Sequence, residues 1–232
     1  MEGRCVMAVK LEKVVPFGRS LAEYQGMFSL SDEDLNKSIV GIGDGPASFN
    51  AEMTASGKSV VSVDPLYAFR PEEIEQQFYS VVDNVIALVK ASPDDYNISP
   101  EEIREKRVNA LRHFIAEFEI GKAQGRYVVG ELPDMDFRDG QFELALSSNL
   151  LFLYSAHFTY EFHRGAVLEM LRIASEVRIY PLLTLMLEPS SYLQPIIDEL
   201  KFLGFQVSLE KVSYEVQKGC NEMLRIRNPV LA

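Results

Sequence analysis

Lys37-Ser38-Ile39-Val40-Gly41-Ile42-Gly43-Asp44-Gly45-Pro46 is a short apolar run that gives way to glycines and stops at a proline. Its β-branched residues predict a buried strand over 37–43. Pro46 suits the first position of a helix, where a missing N–H needs no partner. That helix is expected to pass through Met53 and stop near Gly57. Ser59-Val60-Val61-Ser62-Val63-Asp64-Pro65 then reads as a second buried strand, with an acid at its end and a proline closing it. A strand, a glycine turn, a helix and a strand within about thirty residues make a βαβ unit. Such a crossover makes the two strands parallel.

The rest of the chain extends this pattern. Upstream, 1–36 is an irregular leader with a turn at Pro16-Phe17-Gly18 and a short helix over 21–28. Downstream, apolar residues at helical spacing predict helices over 71–91 and 100–120, the second opened by Ser99-Pro100-Glu101-Glu102. Strands follow over 126–130 and 142–147, a helix over 160–174, a strand over 177–180 and a helix over 190–203. The last two strands, 205–212 and 222–226, have no helix between them and form an antiparallel hairpin. The fold class is therefore α/β: a doubly wound, mostly parallel seven-stranded sheet, an antiparallel C-terminal hairpin and a helical insertion after the second strand. One domain is expected over 1–232, with 1–36 as leader and 66–125 as insertion.

Composition narrows the function. The 232 residues are 47% hydrophobic and 25% charged, enough apolar material for a sizeable core. A net charge of -11 repels phosphate backbones, so no broad nucleic-acid surface is expected. Cys5 and Cys220 lie far apart, and His113, His157 and His163 make no metal-binding motif, so no metal is expected. The first residues lack an apolar run of signal-peptide length and no window is long enough to span a membrane. A cytoplasmic setting without membrane attachment is the expectation.

The chemistry is concentrated at Gly41, Gly43, Asp44, Gly45 and Asp64. Glycines at a strand end let a ligand approach the backbone. An acid ending the next strand is placed to accept hydrogen bonds from both hydroxyls of a ribose. The plainer alternative is a glycine turn with Asp64 as a cap. The spacing is GxGxG with Pro46 next, unlike the GxGxxG of dinucleotide sites, and no phosphate loop is present. A nucleoside without phosphates fits better.

In these segments the sequence resembles the class I S-adenosylmethionine-dependent methyltransferases. Ile39–Phe49 resembles their first motif, Val60–Asp64 the second, and Gly130–Ser147 the third and fourth. The likeness covers roughly 37–230, and the terminal hairpin matches that family's strand order. It implies S-adenosylmethionine as cofactor, held by Gly41, Gly43, Asp44, Gly45, Asp64, Pro65, Glu131, Leu132 and Ser147. Glu131 would lie near the adenine amino group and the Leu132 N–H would face the ring. The sequence departs from the family at Gly41, where an acid is usual, and at Asp44, where a small residue is usual.

The resemblance implies methyl transfer to a small-molecule acceptor. Two alternatives stay open: a binding module for S-adenosylmethionine or S-adenosylhomocysteine without turnover, and an NAD(P)-dependent oxidoreductase. Asn149, Tyr154 and His157 are the candidate substrate residues, and no catalytic residue is assigned. Ser148-Asn149-Leu150-Leu151 is not the (Asp/Asn)-Pro-Pro-Tyr of amino- and amide-directed methyltransferases. The stretch from Asp64 to Tyr127 far exceeds the roughly dozen residues a crossover needs. Its two helices read as a lid over the cofactor edge, or else as an added layer or homodimer surface. In similar enzymes a leader folds over the cofactor, which would bring Arg19 or Tyr24 to its carboxylate.

Overall fold

The computed structural model describes residues 14–228. Cys5 and the first part of the expected leader lie outside the described residues. Seven strands form one sheet: β1 (Ile39–Ile42), β2 (Val60–Val63), β3 (Tyr127–Val128), β4 (Phe142–Ser148), β5 (Ala174–Tyr180), β6 (Gln206–Lys211) and β7 (Glu222–Arg227). Their order is β3-β2-β1-β4-β5-β7-β6. β3, β2, β1, β4 and β5 run parallel, and β7 is antiparallel to both β5 and β6. The expected fold class, with its terminal hairpin, is what the chain adopts.

The period of two along each strand sorts the sheet's side chains onto two faces. One face carries Ile39, Leu144, Leu146, Tyr180 and Met223, covered by α1 (Leu21–Phe28) and α2 (Phe49–Ala55). The other carries Val40, Ile42, Ala145, Val177 and Ile226, covered by α5 (Tyr160–Ile173) and α6 (Leu193–Phe202). β1 is buried along its whole length, as a central strand covered on both faces must be.

The insertion is a pair of helices, α3 (Pro71–Ala91) and α4 (Pro100–Ala123). α3 buries Ile74, Phe78, Val82, Ile86 and Val89 against Ile103, Leu111, Phe114 and Phe118 of α4, beside Tyr67 and Tyr127. Ser99 caps α4 by accepting from the Glu102 N–H, with the Glu102 carboxylate returning to Ser99. The turn between the helices crosses to the β6–β7 loop. There Asn97 N–H donates to Val216 O at 2.9 Å, Lys218 N–H donates to Asp95 O at 2.8 Å, and Asn97 Nδ2 donates to Glu215 O at 2.9 Å.

Several element bounds depart from expectation, two of them beside the cavity-forming turn and edge. The helix after the glycines begins at Phe49, not at Pro46. Tertiary contacts hold 44–48 out of the helix. Gly45 sits at φ +55, its N–H donates to Asp64 Oδ2 at 2.8 Å, and its carbonyl accepts from Tyr67 Oη at 2.8 Å. Gly18 lies directly on the next peptide, so close that a Cβ there would fall 2.0 Å from Pro46 O. β3 is also shorter than the expected 126–130, pairing only through Tyr127 and Val128.

Candidate functional site

β1 is the point where the strand order reverses, with β2 on one side and β4 on the other. Open α/β sheets bind ligands outside the carboxyl ends of strands at such a point. A cavity of about 540 Å³ opens there. Its floor is the glycine turn Gly43–Gly45 and the β4 end at Ser148–Leu150. Val85, Val89, Ile103 and Arg107 of the insertion and Tyr214, Val216 and Cys220 of the β6–β7 loop supply further wall. The tie between Asn97 and Val216 therefore joins two sides of one cavity.

Asp44 is the central acid. It is buried, lines the cavity, and accepts from Tyr24 Oη and Ser62 Oγ, each at 2.6 Å. Gly41 explains its position. Gly41 and Ser62 are partners across β1 and β2, and a Cβ on Gly41 would lie 2.1 Å from Asp44 Oδ2. The Asp44 carboxyl thus occupies the place a side chain at residue 41 would take. No cation pairs with it among the described residues. Burial pushes its carboxyl up to about 7; the Ser62 and Tyr24 hydrogen bonds oppose that rise and the Asp64 charge adds to it. A carboxyl so placed ionises readily only when a positive group enters beside it.

Asp64 ends β2 and lines the same cavity. Its Oδ2 accepts from Gly45 N–H and its Oδ1 from Leu66 N–H, both at 2.8 Å. It fixes the glycine turn, and each oxygen keeps a lone pair for a further donor. Burial raises its pKa, and the two backbone donors work against that.

The remaining expected residues divide. Gly43, Gly45, Pro65, Glu131, Leu132, Asn149 and Tyr154 line the cavity with Asp44 and Asp64. Leu132 is buried there and Glu131 is exposed. Over Gly43 the close space is filled by Leu150 Cδ2, 2.4 Å from where a Cβ would stand, and Gly43 itself sits at φ +71. Tyr154 Oη accepts from Val15 N–H at 3.2 Å. Gly41, Ser147 and His157 are not among the lining residues. β4 runs one residue past the expected end, to Ser148, and it is Ser148 at that end, not Ser147, that lines the cavity. His157 is exposed and meets the Tyr154 ring edge to face. His163 is buried with its ring nitrogens 2.8 Å from Thr159 O and 3.0 Å from Leu151 O.

No family model matches the chain. It is 31% identical to the uncharacterized protein MJ0045 of Methanocaldococcus jannaschii over 224 residues, 94% of this chain and 98% of the relative. The chain belongs to the MJ0045 family. Solved structures similar to this member of the MJ0045 family include magnesium protoporphyrin IX methyltransferase of Synechocystis PCC 6803 with bound S-adenosylmethionine. That match has 12% identity and a TM-score of 0.45, covering 85% of this chain and 73% of the other. An S-adenosylmethionine-dependent methyltransferase of Methanosarcina mazei aligns at 10% identity and a TM-score of 0.46, covering 84% of this chain and 93% of the other.

Several residues of the site had no signal in the sequence. Arg107, in the middle of an ordinary charged helix, is 2% exposed; it donates to Gly18 O at 2.6 Å and pairs with the Glu23 carboxylate. Tyr214 Oη donates to Glu23 Oε1 at 2.8 Å. Burial alone would raise Glu23, but the charges of Arg107 and Arg19 outweigh it and hold the carboxyl down at about 2. The leader, the insertion and the last hairpin of this MJ0045-family chain are joined through that one carboxylate.

Proposed function

We propose that this protein is an S-adenosylmethionine-dependent methyltransferase with a small-molecule acceptor. One observation carries the reading: at the switch point of the sheet, a cation-free buried acid, Asp44, and the strand-end acid Asp64 flank one glycine turn in one cavity. A nucleoside bearing a positive charge and no phosphate suits that pair. Asp64 would accept from the ribose hydroxyls through its free lone pairs. Asp44 would face the ligand's cationic end, and Glu131 and the Leu132 N–H would lie at the base. Gly41 contributes by leaving room for Asp44.

The cofactor supplies a methyl group on a positively charged sulfur, open to in-line displacement. The chain's part is alignment and exclusion of water, which provide much of the rate in such a transfer. Val85, Val89 and Ile103 of the insertion and the aromatic residues after β4 form an apolar enclosure for a small acceptor. No histidine lines the cavity among the described residues.

Calorimetry of the purified protein with S-adenosylmethionine, S-adenosylhomocysteine and NAD tests the ligand. Binding of both sulfur nucleosides and not NAD is expected; the reverse would give the oxidoreductase reading. A radiolabelled methyl-transfer screen over small metabolites then separates enzyme from binding module. Binding without transfer to any class would leave the module.

A further inference from the structure

Residues 18–24 grip the glycine turn at two places. Gly18 lies against the peptide between Pro46 and Ala47, with no room for a Cβ. Tyr24 Oη donates to Asp44 Oδ1 at 2.6 Å, and the Tyr24 ring stacks on Phe49 with centroids 4.1 Å apart. Asp44, Gly45, Pro46 and Ala47 therefore lie between contacts made by one short segment. The Asp64 end of the site is held separately. Asp64 accepts from the Leu66 and Gly45 N–H groups, and Tyr67 Oη donates to Gly45 O.

What holds residues 18–24 in turn is Arg107, from the middle of α4. Its Nη1 donates to Gly18 O at 2.6 Å, and its guanidinium pairs with the Glu23 carboxylate. One planar fork thus spans residues 18 and 23. Arg19 reaches the same Gly18 carbonyl only at 3.4 Å, its Nη1 lying nearer to Phe17 O at 2.7 Å. Glu23 also accepts from Ser20 N–H at 3.0 Å, which closes the capping box at the start of α1. Arg107 therefore fixes the entry of the helix that carries Tyr24, as well as the peptide that carries Gly18. The pair is enclosed, Arg107 at 2% and Glu23 at 4% exposure, so water does not compete for it.

Resting on the methyltransferase reading above, we propose that Arg107 is a positioning residue for the cofactor site. It acts through Gly18 and Tyr24, and it sets where the Asp44 carboxyl meets the cationic end of the ligand. Its effect is confined to that end, because the contacts of Asp64 do not pass through residues 18–24. The insertion, which walls the cavity through Val85, Val89 and Ile103, thereby also takes part in binding the cofactor.

Dissociation constants of S-adenosylhomocysteine, and of 5′-methylthioadenosine, which lacks the amino-acid end, are measured for wild type, Arg107→Lys, Gly18→Ala and Leu200→Ala. Arg107→Lys keeps a cation beside Glu23, so no buried charge is stranded, but one ammonium cannot span both partners of the fork. Gly18→Ala pushes the segment off the turn and leaves the Arg107–Glu23 pair in place. Leu200 is buried on α6, on the other face of the sheet, and its truncation lowers stability with residues 18–24 untouched. Affinity for S-adenosylhomocysteine should weaken about fivefold or more in Arg107→Lys and in Gly18→Ala, the worth of about one hydrogen bond. Affinity for methylthioadenosine should stay at the wild-type value in both, which also certifies that they are folded. Leu200→Ala should bind both nucleosides as wild type does. In an Asp44→Asn background the Arg107→Lys effect should vanish, since both changes act at one place. An effect of Arg107→Lys that persists undiminished in that background, or none from Gly18→Ala, would make Arg107 a direct ligand contact and overturn the proposal. Unchanged S-adenosylhomocysteine affinity, equal loss of both nucleosides, or an equal loss in Leu200→Ala would leave Arg107 a purely structural role and overturn it too. Should one of the first two variants not fold, the other is read against Leu200→Ala by the same criteria. Failure of wild type to bind either nucleoside would overturn the methyltransferase reading itself, a result distinct from all of these.

Discussion

At the scale of single residues, Gly41 and Asp44 behave as one unit. The strand lacks a side chain where the turn three residues later delivers a carboxyl, and Ser62 and Tyr24 hold that carboxyl in place. Gly41→Ala is therefore expected to cost about 1–3 kcal/mol of stability, as overpacking does. Adding Asp44→Gly should recover most of that loss without restoring ligand binding. Denaturant unfolding of the two single variants and the double one gives the coupling directly, and additive effects would show that the two sites do not compete for space. Asp64 carries a different expectation. Asp64→Ala removes two backbone hydrogen bonds that shape the glycine turn as well as the acceptor for a ribose. Loss of a hydrogen bond to a charged group is worth about 1.5–3 kcal/mol. Affinity for S-adenosylhomocysteine should drop about tenfold or more, read by calorimetry on variant protein shown to be folded.

At the scale of elements, the insertion is tied down at both ends of its reach. Tyr67, at its start, packs with Phe114, Phe118 and Tyr127 and donates to Gly45 O. Its far turn is bonded to the β6–β7 loop through Asn97 and Lys218. A ligand entering beneath must loosen the second tie more readily than the first, because the first is buried in an aromatic cluster and the second is a set of peripheral hydrogen bonds. Hydrogen exchange should show the 92–99 turn and the 214–218 loop opening together in the free protein. Both should gain protection when S-adenosylhomocysteine binds, while β1 and β4 change little. Equal exchange in both states would make the insertion an added structural layer instead of a lid. The same scale explains the late start of α2: propensity at Pro46 favoured a helix, but Asp64, Tyr67 and Gly18 hold the preceding peptides in another conformation.

At the scale of the whole molecule, the buried acids make stability depend on pH in an unusual direction. Asp44 ionises at about 7 in the folded chain against an ordinary value of 3.8. Between those values the native state holds the proton and the unfolded state does not, so stability from this group is greatest at low pH and falls as pH rises to about 7. Asp64 is raised in the same sense. Asp44→Asn keeps an acceptor for Tyr24 and removes the ionisation, so the difference in melting temperature between pH 5 and pH 8 should shrink in the variant. Binding of cationic S-adenosylmethionine to wild type should tighten over the same rise. The sequence by itself determined the strand order's logic, since the β-branched runs at 39–42 and 60–63, the glycines between them and the helix-free approach to 222–227 are local features that admit few topologies. It also determined that Asp64 stands at a strand end, because a proline follows it. Only the tertiary structure decided that Asp44 fills the space of residue 41, that Ser148 and not Ser147 faces the cavity, and that Arg107 and Tyr214 meet at Glu23. The reason is physical: periodicity and turn chemistry act over a few residues, whereas charge pairing and close packing join residues from distant parts of the chain, and their partners exist only once the sheet has brought the leader, the insertion and the final loop around one cavity.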